Sequence, residues 1–264
     1  MTEASFAPTQ EKLPVLFVGH GSPMNAIEEN EFSQAWAQIG QSLPRPQAIL
    51  CISAHWETSG VQATTMEAPR TIYDFYGFPP ELYAVRYPAP GSPELAGLVQ
   101  QTVQGASVQS DLTWGLDHGA WSVLRRMFPA ADIPVVQLSL DYTKSPQEHY
   151  ALGKELGVLC RRGVLIVGSG NMVHNLRLVQ WSEAAFDWAL EFDELLSQRI
   201  LAGDHSAIIH YSQFGRMAML SVPTLEHFLP LLYTLAVQEE GEPVSFFAEK
   251  VTLGSISMRG VRIG

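Results

Sequence analysis

Two continuous apolar runs, PVLFV (14–18) and AILCIS (48–53), punctuate the N-terminal part of the chain. Runs of this length with no polar face predict strands buried on both sides, as in a parallel sheet. Between them, EFSQAWAQIGQSL (31–43) places Phe32, Trp36, Ile39 and Leu43 on one face of a helix. Strand, helix, strand predicts a βαβ unit with a right-handed crossover. GVQATTM (60–66) alternates as a further strand, and PELAGLVQQTVQG (93–105) predicts a helix with proline near its start. VVQLSL (135–140) and VLIVGSG (164–170) repeat the buried-strand pattern. The helix between them begins with Ser145 as N-cap, Pro146 at the first helical position and Glu148 at the third, a capping box, and Gly163 suits its end. Segments 182–204 and 224–239 predict amphipathic helices, the second with Thr224 as N-cap. VSFFAE and SISMRGVRI alternate and predict closing strands, paired as a hairpin. With no repeat and no low-complexity tract, the alternation predicts a single α/β domain over 13–264. Its central sheet is mixed, mainly parallel and flanked by helices, and residues 1–12 form a polar, mobile leader.

One segment breaks the alternation. RTIYDFYGFPPELYAVRYPAPGSPE (70–94) is too aromatic for a linker and too rich in proline and glycine for regular structure. A long ordered loop of this kind points to function. The chain carries 16 basic and 27 acidic residues, a net charge of −11, which argues against nucleic acid or an anionic membrane as partner. Cys51 and Cys160 both sit in apolar surroundings and read as buried thiols of a cytoplasmic protein. MTEASFAPTQEK has no apolar signal core, and no apolar run approaches the roughly 20 residues of a membrane helix.

The apolar runs share one further feature. PVLFVGHGSP ends at His20, AILCISAHWE at His55, and VLIVGSGNMVHN reaches His174. In open α/β sheets, ligands bind beyond the carboxyl ends of the strands, so residues far apart in sequence converge there. Gly19 and Gly21 allow a tight turn around His20. Neutral imidazole is the commonest metal ligand, and a metal-free cluster of imidazoles would only repel on protonation, so three such histidines predict a mononuclear metal site. His118 in WGLDHGAWS and His227 in PTLEHFLP, the latter in the first turn of a helix, are further candidates. His149, His205 and His210 read as structural. Zinc would suggest hydrolysis by activated water, iron would suggest oxygen chemistry, and copper also suits nitrogen ligands. There is no His-Glu-x-x-His helix, Gly-x-Ser-x-Gly elbow, phosphate loop or dinucleotide fingerprint.

GHGSPMNAIEEN, ISAHWET, TIYDFYGFPPELYAVRYPAPGSPELA, GLDHGAWSVL, VGSGNMVHNLR and TLEHFLPLL occur in that order from about residue 13 to the C-terminus. Together they resemble the class III extradiol ring-cleavage dioxygenases, and more closely the 4,5-DOPA extradiol dioxygenase-like proteins. The resemblance implies a catechol substrate, molecular oxygen and non-haem Fe(II). It implies His20, His55 and His227 as metal ligands. His174 would be the acid–base histidine, close enough to serve as a fourth ligand, and His118 would stabilise charge on the oxygen species. More distant members complete the ligand set with a glutamate. Here Glu226 adjoins His227, and neighbours on a helix diverge by about 100°, so the expectation is that only His227 faces the metal. Such a neutral site favours Zn(II) over Fe(II), so zinc is expected in the purified protein and Fe(II) for activity. Tyr73, Phe75, Tyr76 and Phe78 would wall the pocket, and Arg70 or Arg86 would meet a substrate carboxylate. The alternatives are a zinc-dependent hydrolase on the same histidines or a non-catalytic metal-binding relative; on any of these readings a monomer or small homo-oligomer is expected.

Overall fold

The computed structural model describes residues 6–8, 11–182 and 184–264. Strand β1 (Val15–Gly19) leads through a 3-10 turn into α1 (Glu31–Ser42), followed by β2 (Ala48–Thr58) and β3 (Val61–Thr64). The aromatic loop holds one short helix, α2 (Pro80–Tyr83), before α3 (Pro93–Thr102), β4 (Val108–Asp111) and α4 (His118–Met127). Next come β5 (Val135–Asp141), α5 (Pro146–Leu156), β6 (Val164–Gly170), α6 (Asp187–Leu201), α7 (His205–Ile209), α8 (Arg216–Ser221) and α9 (Leu229–Ala236). The chain closes with β7 (Val244–Phe247), β8 (Val251–Thr252), β9 (Ile256–Ser257) and β10 (Gly260–Ile263).

The main sheet runs β4-β3-β5-β2-β6-β1-β10-β7. Its centre, β5-β2-β6-β1, is parallel, while β3 on β5, and β10 on β1 and β7, pair antiparallel. This is the mixed, mainly parallel α/β sheet that the apolar runs predict. Side chains alternate between its faces. Val15, Phe17, Leu50, Ile52 and Ile166 pack on one side with Phe192, Leu196 and Leu232 from α6 and α9. Leu16, Val18, Ile49, Cys51 and Val167 pack on the other with Trp36 of α1 and Trp121 of α4. The capping box at Ser145, Pro146 and Glu148 forms, and Gly163 takes the left-handed conformation, φ 73°, after the 3-10 turn that follows α5.

Several expectations are corrected. β1 and β2 are parallel but not neighbours, because β6 lies between them. The helix expected over 182–204 starts at Asp187, since the Phe186 N–H is drawn to Gly254 O at 2.9 Å; residue 183 lies outside the described residues. The helix expected over 224–239 starts at Leu229 with Pro230 in its first turn. Proline deep inside a helix would clash with the carbonyl four residues back, so the chain upstream stays a turn. Thr224 caps nothing and instead donates to Glu226 Oε1 at 2.8 Å. Of the leader, 1–5 and 9–10 lie outside the described residues. Phe6 is buried in the core, and Lys12 Nζ donates to Val237 O at 3.0 Å. Cys51 and Cys160 are free and buried, and among the described residues no helix is long and apolar enough to cross a membrane.

Candidate metal centre

Three adjacent parallel strands, β2, β6 and β1, end at the same edge. His20 follows β1 directly, its N–H bound to Gly170 O at 3.1 Å. A Cβ on Gly19 would meet the Met258 backbone at 2.6 Å, so only glycine lets the chain pass there. His55 lies within β2, not beyond it. The β2–β5 register jumps from Ile52↔Leu138 to Glu57↔Leu140, which sets residues 53–56 against Ser139 alone. This bulge re-aims His55 toward the strand ends. His174 follows β6, held by its N–H to Ser221 O at 2.9 Å. His227 sits in the turn before α9, and its carbonyl accepts the Asn171 N–H at 2.8 Å. His118 opens α4, behind the buried N-cap Asp117, which accepts from Ala120 N at 3.1 Å and Ser53 Oγ at 2.6 Å.

Five of the eight histidines thus meet. The rings of His20, His55 and His227 form a nearly equilateral triangle with centroid separations of 4.9, 5.2 and 5.0 Å. His174 stacks on His227 at 3.5 Å, and His118 lies 3.9 Å from His55. The Nε2 atoms of His20 and His55 approach to 3.0 Å, close enough for one ring to donate to the other or for one cation to be held by both. In each ring of the triangle an oxygen meets Nδ1. Ser169 Oγ donates to Gly119 O at 2.6 Å, so it receives the Nδ1–H of His20 at 3.0 Å. Asp74 Oδ2 stands 3.2 Å from Nδ1 of His55, and Glu226 Oε1 stands 3.1 Å from Nδ1 of His227. A ring that carries its proton on Nδ1 toward such an oxygen keeps its Nε2 lone pair for a metal.

Burial, reinforced by the neighbouring imidazoles, holds His20 and His227 well below the usual histidine pKa. Burial and His118 bring His55 to about 3, and burial brings His174 to about 4. His20, His55, His174 and His227 are therefore neutral and open to a cation at physiological pH. Glu226, expected to point away, lies at the site: it is grouped with His174 and His227, with ligand atoms within 4.8 Å of one another. The argument from helical divergence fails because the Glu226–His227 pair is in a turn.

The aromatic loop divides in its role. Phe75 is buried and meets His118 edge-on at 5.5 Å, with Phe78 behind it at 5.3 Å. Tyr73 packs on Phe75 and Trp121, and its hydroxyl donates to Val85 O, so it supports the wall from behind. Tyr76 is 92% exposed and forms no part of the wall. Arg86 lies over the Tyr73 ring at 5.2 Å and Arg70 donates to Trp114 O at 3.0 Å, so both are engaged by the loop and its neighbours. His149, His205 and His210 make structural hydrogen bonds to Tyr233, Tyr150 and Ser206. Asp74 and Ser169 escaped the sequence reading, since neither lies in a recognisable metal motif and only the fold brings them to the rings.

A strand-end crevice that gathers imidazole nitrogens defines a class: an α/β enzyme built to hold a metal ion beside an apolar wall. The particular family follows from comparison. Residues 14–256 match the family described as the catalytic LigB subunit of aromatic ring-opening dioxygenase. The chain is 44% identical over 260 residues to the 4,5-DOPA dioxygenase extradiol of Escherichia coli K12, covering 96% of this chain and 95% of that protein. It is 41% identical to the 4,5-DOPA dioxygenase extradiol of Beta vulgaris, covering 81% and 83%. A crystal structure of an uncharacterized protein from Escherichia coli K12 superposes with a TM-score of 0.84 at 41% identity, covering 96% of this chain and all of that one. The chain belongs to the LigB family, the class III extradiol dioxygenases, and is an oxidoreductase. The hydrolase and non-catalytic alternatives are set aside.

Proposed function

We propose that this enzyme opens the ring of a catechol of the DOPA type beside its two hydroxyls, with Fe(II) held by Nε2 of His20, His55 and His227. The observation that carries the reading is the triangle of rings whose Nδ1 atoms each face an oxygen of Ser169, Asp74 or Glu226. The donor set fits a divalent first-row ion, Zn(II) as well as Fe(II), so zinc in purified protein is compatible with an iron enzyme. The bound ion supplies positive charge that favours the ionised catechol and a place where catechol and dioxygen meet.

The other residues divide the remaining work. His174, neutral and stacked on His227, accepts a phenolic proton and returns it as the ring opens. His118 lies across the cluster beside His55, where it stabilises negative charge developing on oxygen. Phe75 presents its ring where the catechol would lie and keeps water from that side. Both atoms of dioxygen enter the product while one ring carbon–carbon bond breaks, so the reaction balances without an added reductant.

The test strips the metal and reconstitutes the protein anaerobically with Fe(II), Zn(II) or Mn(II), then follows oxygen uptake over a panel of catechols. Uptake with Fe(II) and a yellow ring-opened product are expected, with loss in His174→Ala. No uptake from demonstrably metal-loaded protein with any catechol would overturn the proposal.

A further inference from the structure

Asp74 lies in TIYDFYGF, on the aromatic loop, at a point where the loop is pinned. Just before it, Ile72 N–H donates to Leu116 O at 2.7 Å, and Trp121 Nε1–H donates to Ile72 O at 2.7 Å. Just after it, Phe75 is buried. The carboxylate is thereby set between two rings and one backbone amide. Oδ1 accepts the His118 N–H at 2.9 Å. Oδ2 stands 3.0 Å from His118 Nδ1 and 3.2 Å from His55 Nδ1. Neither contact closes as a hydrogen bond: among the described residues Asp74 Oδ2 and His118 Nδ1 are buried with no hydrogen-bond partner, so Oδ2 acts on the two rings through its charge at close range.

We propose that Asp74 is a positioning residue that sets the tautomer of two imidazoles at once, placing the ring proton of both His55 and His118 on Nδ1 and leaving both Nε2 atoms as lone-pair nitrogens. The reason is electrostatic. A ring of the other tautomer would turn its Nδ1 lone pair toward the carboxylate at about hydrogen-bond distance, against an Oδ2 atom that is itself buried. The inference rests on the reading of His55 as a metal ligand and extends it to the loop that carries Asp74. It links the metal-side and substrate-side histidines through a single side chain.

Asp74→Asn discriminates, because its amide has one acceptor where the carboxylate has two. The His118 backbone N–H cannot change character, so the amide oxygen turns to it and the NH2 group faces the two rings. Both rings are then driven to accept at Nδ1 and to carry their proton on Nε2, where it blocks the metal.

The experiment is nitrogen NMR of histidine-labelled, metal-free protein at neutral pH, with the rings assigned by His55→Gln and His118→Gln. In the wild type both rings are expected to be protonated at Nδ1. In Asp74→Asn they convert to Nε2–H, and Zn(II) affinity, measured by chelator competition, falls about 10–100-fold. Asp74→Ala removes the acceptor without imposing a donor, so a mixture of tautomers and a smaller loss of affinity are expected. Either wild-type ring protonated at Nε2 overturns the proposal, as does an Asp74→Asn protein with unchanged tautomers and Zn(II) affinity. Should Asp74→Asn fail to fold, the wild-type spectrum and Asp74→Ala decide. None of these readouts uses catechol or oxygen, so failure of the dioxygenase reading would leave them unmoved.

Discussion

Gly170→Ala tests whether the end of β6 sets the position of His227. A Cβ on Gly170 would lie 2.1 Å from the His227 carbonyl oxygen and 3.1 Å from its carbon. Ordinary carbon contacts begin near 3.5 Å, so the two backbones must part by about 1 Å. Overpacking of this kind costs about 1–3 kcal/mol. The Asn171 N–H bond to the same carbonyl, 2.8 Å long, stretches or breaks and adds about 1 kcal/mol. The total, about 2–4 kcal/mol, corresponds to a lowering of Tm on the order of 4–16 °C in a domain of this size. With His227 as the proposed ligand, the larger effect falls on catalysis, since a displacement of this size costs about 100-fold in rate. Gly203→Ala is the control. Gly203 has φ 66° and nothing within 4 Å of its Cβ position, so alanine there adds about 1–2 kcal/mol of backbone strain in the turn after α6, outside the histidine cluster. Stability is read by thermal and urea unfolding and activity by oxygen uptake of Fe(II)-loaded protein. Gly203→Ala should lose stability and keep its rate. A Gly170→Ala protein that turns over at the wild-type rate would refute the reasoning, as would equal loss of activity in the two variants.

Three more outcomes follow from the same geometry. His174→Gln is expected to slow ring opening about 10²–10⁴-fold while retaining one metal per chain by elemental analysis; loss of the metal as well would make His174 a ligand rather than an acid–base group. Metal-free protein should lose stability as the pH falls from about 6.5 toward 4, because burial holds His55 at about 3, His174 and His149 at about 4, and His20 and His227 well down, while the unfolded chain protonates all five near 6.5. Each adds a slope approaching about 1.4 kcal/mol per pH unit in that window, and a urea midpoint unchanged between pH 7 and pH 5 would contradict it. Burial raises the Cys160 thiol to about 12 and Cys51 well above its usual range, so both should resist alkylation in the native protein and react on unfolding, as counted by mass spectrometry.

The part of this architecture that could be read from the chain is the part decided locally. A strand buried on both faces must be apolar throughout, so β1, β2, β5 and β6 announced themselves, and the capping box of α5 needs only the four consecutive residues 145–148. Strand order is decided by pairing across more than a hundred residues, and nothing in β1 or β2 indicates that β6 inserts between them. Segment 224–239 misled for a different reason. Its apolar positions continue through the turn, but Pro230 forbids the helix from starting earlier, and that freed both Glu226 and His227 to serve one site.

The same distinction runs through the histidines. Their placement at the ends of apolar runs was visible because strand ends converge in any open α/β sheet. Their orientation was not. Ser169 meets His20 across the β1–β6 pairing and Glu226 adjoins His227 in the chain, but Asp74 comes from a loop without period, and which side-chain oxygen meets each Nδ1 follows no rule of strand or helix spacing. Asp74 reaches His118 across 44 residues. The rigid sheet thus brings the imidazoles together, while the irregular segments decide what those imidazoles can bind. Substitutions in the loop 70–94 that leave the core intact should therefore change metal affinity and substrate preference before they change stability.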